Sequence, residues 1–220
     1  AQAQEQVAQI QIGAGGVAEV PAGEVVWRTV RARAEPTGTA PFSPRPLSFV
    51  LATEDALLLA DDRLLHIDLL FPGEAAFVPP GVTQQRSSLT DSAVNFLAIE
   101  LVPAAEAMVS DDSTVLQPGQ PFPSPGGYHD FDLIQGILSN VDSYTVPDTG
   151  QKNIILVTAG TISVGRAGSS PTTLLAGESA TFSGELIITG TTEDPAQFVV
   201  AVMGNEVIPP AAPVSAEETP

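Results

Sequence analysis

The chain contains no cysteine, so it has no disulfide framework and no thiolate nucleophile. A core built from 220 residues does not need such staples, and their absence leaves export open. Positive charge is almost as scarce. Eight Lys and Arg, with Lys152 the sole lysine, stand against 26 Asp and Glu and give a formal charge of −18. A surface of that sign repels phosphate backbones and anionic lipid, so no nucleic-acid partner is expected. No apolar run approaches the ~20 residues of a membrane-spanning helix, and no membrane insertion is expected. Aromatic residues are 5% of the chain, and histidine is confined to His66 and His129. What is abundant is Gly (19) and Pro (20), the composition of short strands joined by tight turns.

Apolar or alternating runs recur at 25–34, 47–52, 56–60, 64–70, 75–78 and 94–102, and again at 131–138, 143–146, 153–159, 161–164, 172–175, 179–182, 186–189 and 196–203. Gly, Pro and Asp punctuate them, and none sustains a helical period, so they read as strands. The predicted class is all-β. Between the two groups, a stretch rich in Pro, Ser and Asp reads as a linker, with a short helical turn at 104–109 and the acidic pair Asp111-Asp112. The expected organisation is an extended N-terminal segment (1–16), a first domain (17–103), a linker (104–125), a second domain (126–208) and a C-terminal tail (209–220). Val7, Ile10 and Ile12 alternate as in a strand suited to joining a sheet edge, either the chain's own or a neighbour's.

An internal repeat supports two domains. The segment around Gly73-Glu74 aligns with that around Gly177-Glu178, and Asn95-Phe96 aligns with Gln197-Phe198, each pair opening a long apolar strand. A spacing of ~100 residues is that of a duplicated domain and not of a solenoid.

Gly73, Pro79 and Gly81 stand in the spacing G-x5-P-x-G. This resembles the second signature of the cupin superfamily, G-x5-P-x-G-x2-H-x3-N. The resemblance implies two tandem cupin-like barrels of the double-stranded β-helix or jelly-roll type. It also places Gln84 where the family has a metal-binding His, and Ser88 where it has Asn. The family's first signature carries two His at i and i+2, whereas residues 21–33 contain none. In the second half, Ser183 and Glu185 replace the Pro and Gly of the signature, and Ile188 falls near the ligand position. The resemblance thus implies the architecture without its metal, and no cofactor is expected.

Other chemistry is thin. His66 with Asp68, and His129 with Asp130 and Asp132, offer two-ligand clusters where transition metals take three or four ligands. No Ser carries a nucleophile signature with a His partner, so no catalytic residue is predicted and no enzyme is expected. The arginines form the more unusual group. Arg28, Arg31, Arg33 and Arg45 supply half of the positive charge. Strand alternation puts Trp27, Thr29, Arg31 and Arg33 on one face, with Arg28, Val30 and Ala32 on the other.

Two functions lead, with an enzyme using an unconventional site around His66 or His129 as a third alternative. The first is a non-enzymatic, self-assembling extracellular subunit, joined through Val7, Ile10 and Ile12 by strand addition and through Arg28 and Arg45 by charge. Its partner is then a further copy of the chain. The second is a metal-free barrel holding a small anionic or sugar-like ligand among Trp27, Arg31, Arg33, Gln84 and Arg86. The plainer alternative for the arginines is local pairing with Glu19, Glu24, Glu35 or Glu54. The opening Ala1-Gln2-Ala3-Gln4 resembles the end left by signal cleavage, so a secreted or cell-surface location is expected.

Overall fold

The computed structural model describes residues 8–37, 40–62, 66–109, 113–140, 142–166, 168–192 and 194–208. Val7, Asp111, Asp112 and the C-terminal tail lie outside them. Apart from one 3-10 turn over Ala104–Glu106, the regular structure there is all β. The first half holds β1 (Gln9–Glu19), β2 (Glu24–Pro36), β3 (Ser43–Pro44), β4 (Leu47–Ala52), β5 (Leu57–Asp61), β6 (Ile67–Leu70), β7 (Ala75–Val78), β8 (Thr83–Ser88) and β9 (Val94–Pro103). Next come β10 (Ser113–Pro118) and β11 (Phe122–Pro123). The second half holds β12 (Tyr128–Leu138), β13 (Ser143–Val146), β14 (Lys152–Ala159), β15 (Thr161–Gly165), β16 (Thr172–Leu175), β17 (Ser179–Ser183), β18 (Leu186–Gly190) and β19 (Ala196–Glu206).

Pairing in the first half follows β2-β9-β4-β7 and β3-β8-β5-β6, and parallel pairing of Glu35 with Ser87 and Pro36 with Ser88 joins the two into a near-closed barrel. The second half repeats the order strand for strand, as β12-β19-β14-β17 and β13-β18-β15-β16. The repeated turns agree atom for atom. Gly73 (φ 90°) donates to Ala52 O at 2.9 Å, and Gly177 (φ 87°) donates to Val157 O at 2.8 Å. Glu74 Oε2 accepts from Phe71 N at 2.8 Å, and Glu178 Oε2 accepts from Leu175 N at 2.9 Å. A positive φ is tolerated by glycine alone at low cost, which is why both turns carry it.

Strands apolar on both faces must be covered on both. Accordingly β4, β9, β14 and β19 lie between cores. Val50, Leu57, Leu59, Phe96 and Ala98 fill the first barrel. Ile155, Val157, Ile162, Ile188, Phe198 and Val200 pack between the two sheets of the second half. A middle layer joins the halves, with Trp27, Phe49 and Leu101 facing Phe131, Leu156 and Met203. Trp27 meets the Phe131 ring edge-on at 6.3 Å, and its indole N–H donates to Lys152 O at 2.8 Å. Each side chain of this size buried so completely contributes roughly 1.5–3 kcal/mol.

The segments that precede the halves are exchanged. β1 leads into β2 yet pairs along its length with β12, from Gln9 opposite Ile137 to Glu19 opposite Tyr128. β10 and β11 lead into β12 yet pair with β2. The stretch expected as a linker therefore carries strands, because the open edge of β2 satisfies its backbone groups.

Candidate functional site

β8, with the sequence Thr83-Gln84-Gln85-Arg86-Ser87-Ser88, brings Gln84 and Arg86 into the barrel two residues apart on one face. Arg86 is 5% exposed. Its Nε–H donates to Gln84 Oε1 at 3.0 Å, and its guanidinium lies over the Phe96 ring, 5.4 Å from the centroid. Its Nη2 is buried with no hydrogen-bond partner. Burial and the neighbouring Arg45 charge pull its pKa from the ordinary arginine value down to about 9, with Glu100 opposing. Arg86 therefore stays a cation at neutral pH.

Glu100 is committed to Arg28. Nε and Nη2 of Arg28 reach Glu100 Oε2 at 2.8 and 2.7 Å, and Nη1 donates to Glu106 O and Val109 O, each at 2.6 Å. This buried pair straps the chain beyond β9 across the barrel end. Ser48 Oγ, on the residue opposite Glu100 in the β4–β9 register, is also buried without a partner.

A cavity of about 880 Å³ opens beside these groups. Arg28, Arg33, Arg45 and Arg86 line it, half of the eight basic residues in a chain of charge −18. Its walls include Val30, Ala32, Phe96 and Val102, and prolines such as Pro41 and Pro44 also line it.

The expected site is redistributed. The alternation on β2 holds, but the inward face is the other one: Arg28, Val30 and Ala32 line the cavity, whereas Trp27 and Thr29 face the second half. Trp27 is thus a core residue and no part of the pocket. Arg31 is exposed. Arg33 reaches the cavity and also pairs with Glu35 at 3.0 Å, with both side chains more than half exposed, a geometry worth little energy. Local pairing with Glu35 thus accounts for one arginine.

The assembly candidates are also placed differently. Arg28 is enclosed by Glu100, so a neighbouring molecule's carboxylates do not reach it, and Arg45 lines the cavity. Ile10 packs against the core of the second half, while Ile12 is 67% exposed. Glu100 and Phe96 were not foreseen as site residues. A lone carboxylate inside the apolar run of β9 was the available signal.

Neither a protein-family model nor a curated protein sequence matches the chain. Solved structures do. YhaK from Escherichia coli is 12% identical over 82% of this chain and 86% of its own, at a TM-score of 0.55. An oxalate decarboxylase is 9% identical over 86% of this chain and 76% of its own, at 0.57. Procruciferin, an 11S globulin from Brassica napus, is 11% identical over 89% of this chain and 85% of its own, at 0.56. The first half is a cupin-type barrel. Identity this low carries the fold and nothing of the activity.

The residues of this cupin-type barrel do not fit a metal. Gln84, at the position of the family's His, already turns its amide oxygen to a guanidinium, and Arg28, Arg45 and Arg86 would repel a divalent cation. Among the described residues no group of three or more His, Cys, Asp or Glu converges on a common point. His129 is buried, with its ring nitrogens 2.9 and 3.0 Å from Gly204 O and Gly126 O, and it ties strand ends together. His66 contacts Asp68 at 2.9 Å on the exposed surface.

Proposed function

We propose that the protein is a metal-free bicupin that binds a small anion inside its first barrel without transforming it. The carrying observation is Arg86, a buried cation whose Nη2 has no partner beside a cavity large enough for a ligand. Burying an uncompensated charge is costly, and an anion docked on that guanidinium would remove the cost. The cation that cupin chemistry draws from a metal is replaced here by a side chain. The second half, with the same strand order and an apolar interior, is then the second barrel and serves as scaffold.

Thermal denaturation in a buffer of non-coordinating ions tests this reading. Carboxylate or phosphate should raise the Tm of the wild type in a concentration-dependent way and leave Arg86→Met unmoved. Equal response in both proteins, or none in either, would remove the proposal.

Self-assembly is a second reading, and one observation favours it. β1 ends its sheet, so among the described residues its outer backbone edge is open beside the exposed Ile12. Sedimentation of wild type and Ile12→Lys decides it: a larger species abolished by the substitution supports it, and a monomer in both cases refutes it.

A further inference from the structure

We infer that the anion is a single carboxylate carried on an apolar body, such as an aryl- or alkylcarboxylate, and not a sugar acid or an inorganic anion. The inference rests on the proposed anion site. It follows from how Arg86 is presented and from what the rest of the cavity lacks.

Arg86 offers one edge. Its Nε–H is taken by Gln84 and one face of its plane lies against the Phe96 ring, so a ligand would meet the terminal nitrogens in the guanidinium plane, and the buried, unpartnered Nη2 comes within reach as its cover shifts. A planar two-oxygen head matches that edge, since guanidinium and carboxylate meet through parallel N–H···O bonds. Glu100 is held at 2.7 Å by Arg28 and gives only partial compensation, so one external negative charge has a defined place.

Beyond that edge the cavity offers few neutral hydrogen-bonding groups, and of its other charged side chains Arg28 is committed to Glu100 and Arg33 to Glu35. Ser43 and Ser113 carry its only hydroxyls among the described residues, and no Asn, Gln, Thr or Tyr lines it. A sugar acid brings a hydroxyl on nearly every ring carbon, and few uncommitted groups would replace the water that these hydroxyls lose. Val30, Ala32, Phe96 and Val102 instead give an apolar body surface to bury on. Phosphate or sulfate would use the charge but leave most of the roughly 880 Å³ unused. A volume of this size falls within the range of pockets that enclose a whole small molecule.

Isothermal titration calorimetry of the full chain with benzoate, hexanoate, galacturonate and inorganic phosphate tests the inference, on wild type, Arg86→Met and Ala32→Trp. The last variant fills the cavity without touching its charge, and circular dichroism verifies that each variant is folded. Benzoate or hexanoate should bind the wild type at least about tenfold more tightly than galacturonate or phosphate, with binding lost in both variants. Tighter binding of galacturonate or phosphate, still lost in Arg86→Met, would overturn the ligand class and leave the anion site standing. Unchanged benzoate or hexanoate binding in Ala32→Trp would place the ligand outside the cavity and overturn the inference. No binding by any probe, or equal binding by Arg86→Met, would overturn both the inference and the site.

Discussion

Arg86 Nε–H donates to the Gln84 side-chain oxygen at 3.0 Å, on the strand position where the cupin signature places a metal ligand. The two side chains form one unit. Gln84 orients the guanidinium, the guanidinium supplies the positive charge, and Phe96 closes one face. That charge is either a binding device or a packing accident.

Stability separates the two. Burial holds Arg86 at about 9 in the fold, well below the ordinary arginine value of the unfolded chain, so above about 9 the unfolded chain binds more protons and stability rises with pH. Below about 9 the burial penalty is present in full. Arg86→Met removes it at neutral pH and is expected to raise the unfolding free energy of the ligand-free protein by about 1–4 kcal/mol, read by urea denaturation. A less stable variant would mean that the contacts of Arg86 with Gln84 and Phe96 outweigh the cost.

The Arg28–Glu100 pair should behave oppositely. Each partner satisfies the other at 2.7 Å in a buried setting, so Arg28→Met or Glu100→Leu alone strands a charge and costs about 3–5 kcal/mol. The double variant should recover most of that loss in a denaturation cycle. Additive losses would show the two residues to be energetically independent.

Trp27 is assigned to the layer between the halves. Trp27→Ala is expected to cost about 3–5 kcal/mol while leaving ligand affinity per folded molecule unchanged. A selective loss of affinity in calorimetry, with stability intact, would return Trp27 to the pocket.

Asp132 gives a pH signature. Burial, then the charge of Asp130, raise its pKa above the ordinary 3.8, so the folded state binds more protons than the unfolded one between 3.8 and the raised value. The contribution of Asp132 to stability is present below 3.8 and is lost as pH rises through the raised value. Asp132→Asn should therefore be more stable than wild type at pH 7, with the gap closing on acidification. A gap that widens toward acid would reverse the assignment.

Much of the architecture is written in pattern. Most strands were visible as apolar runs, and the Gly73-Glu74 and Gly177-Glu178 repeat maps onto identical turn hydrogen bonds. The site was harder to read. β8 has no apolar residue, so periodicity was blind to it, and its polar side chains are what enter the barrel. On β2, Trp27 and Arg28 are both buried, one against the second half and one inside the barrel. Alternation separates two such faces without saying which is inner. Nor does a single chain reveal that β1 belongs to the sheet of the second half, because strand exchange is decided by open edges far apart in sequence.

Side-chain NMR of arginine Nε–H groups during a benzoate titration shows whether Arg86 holds the anion. The Arg86 resonance should shift in saturable fashion, while those of Arg31 and Arg166 stay fixed. Saturable shifts at Arg31 with Arg86 unmoved would place the anion outside the first barrel.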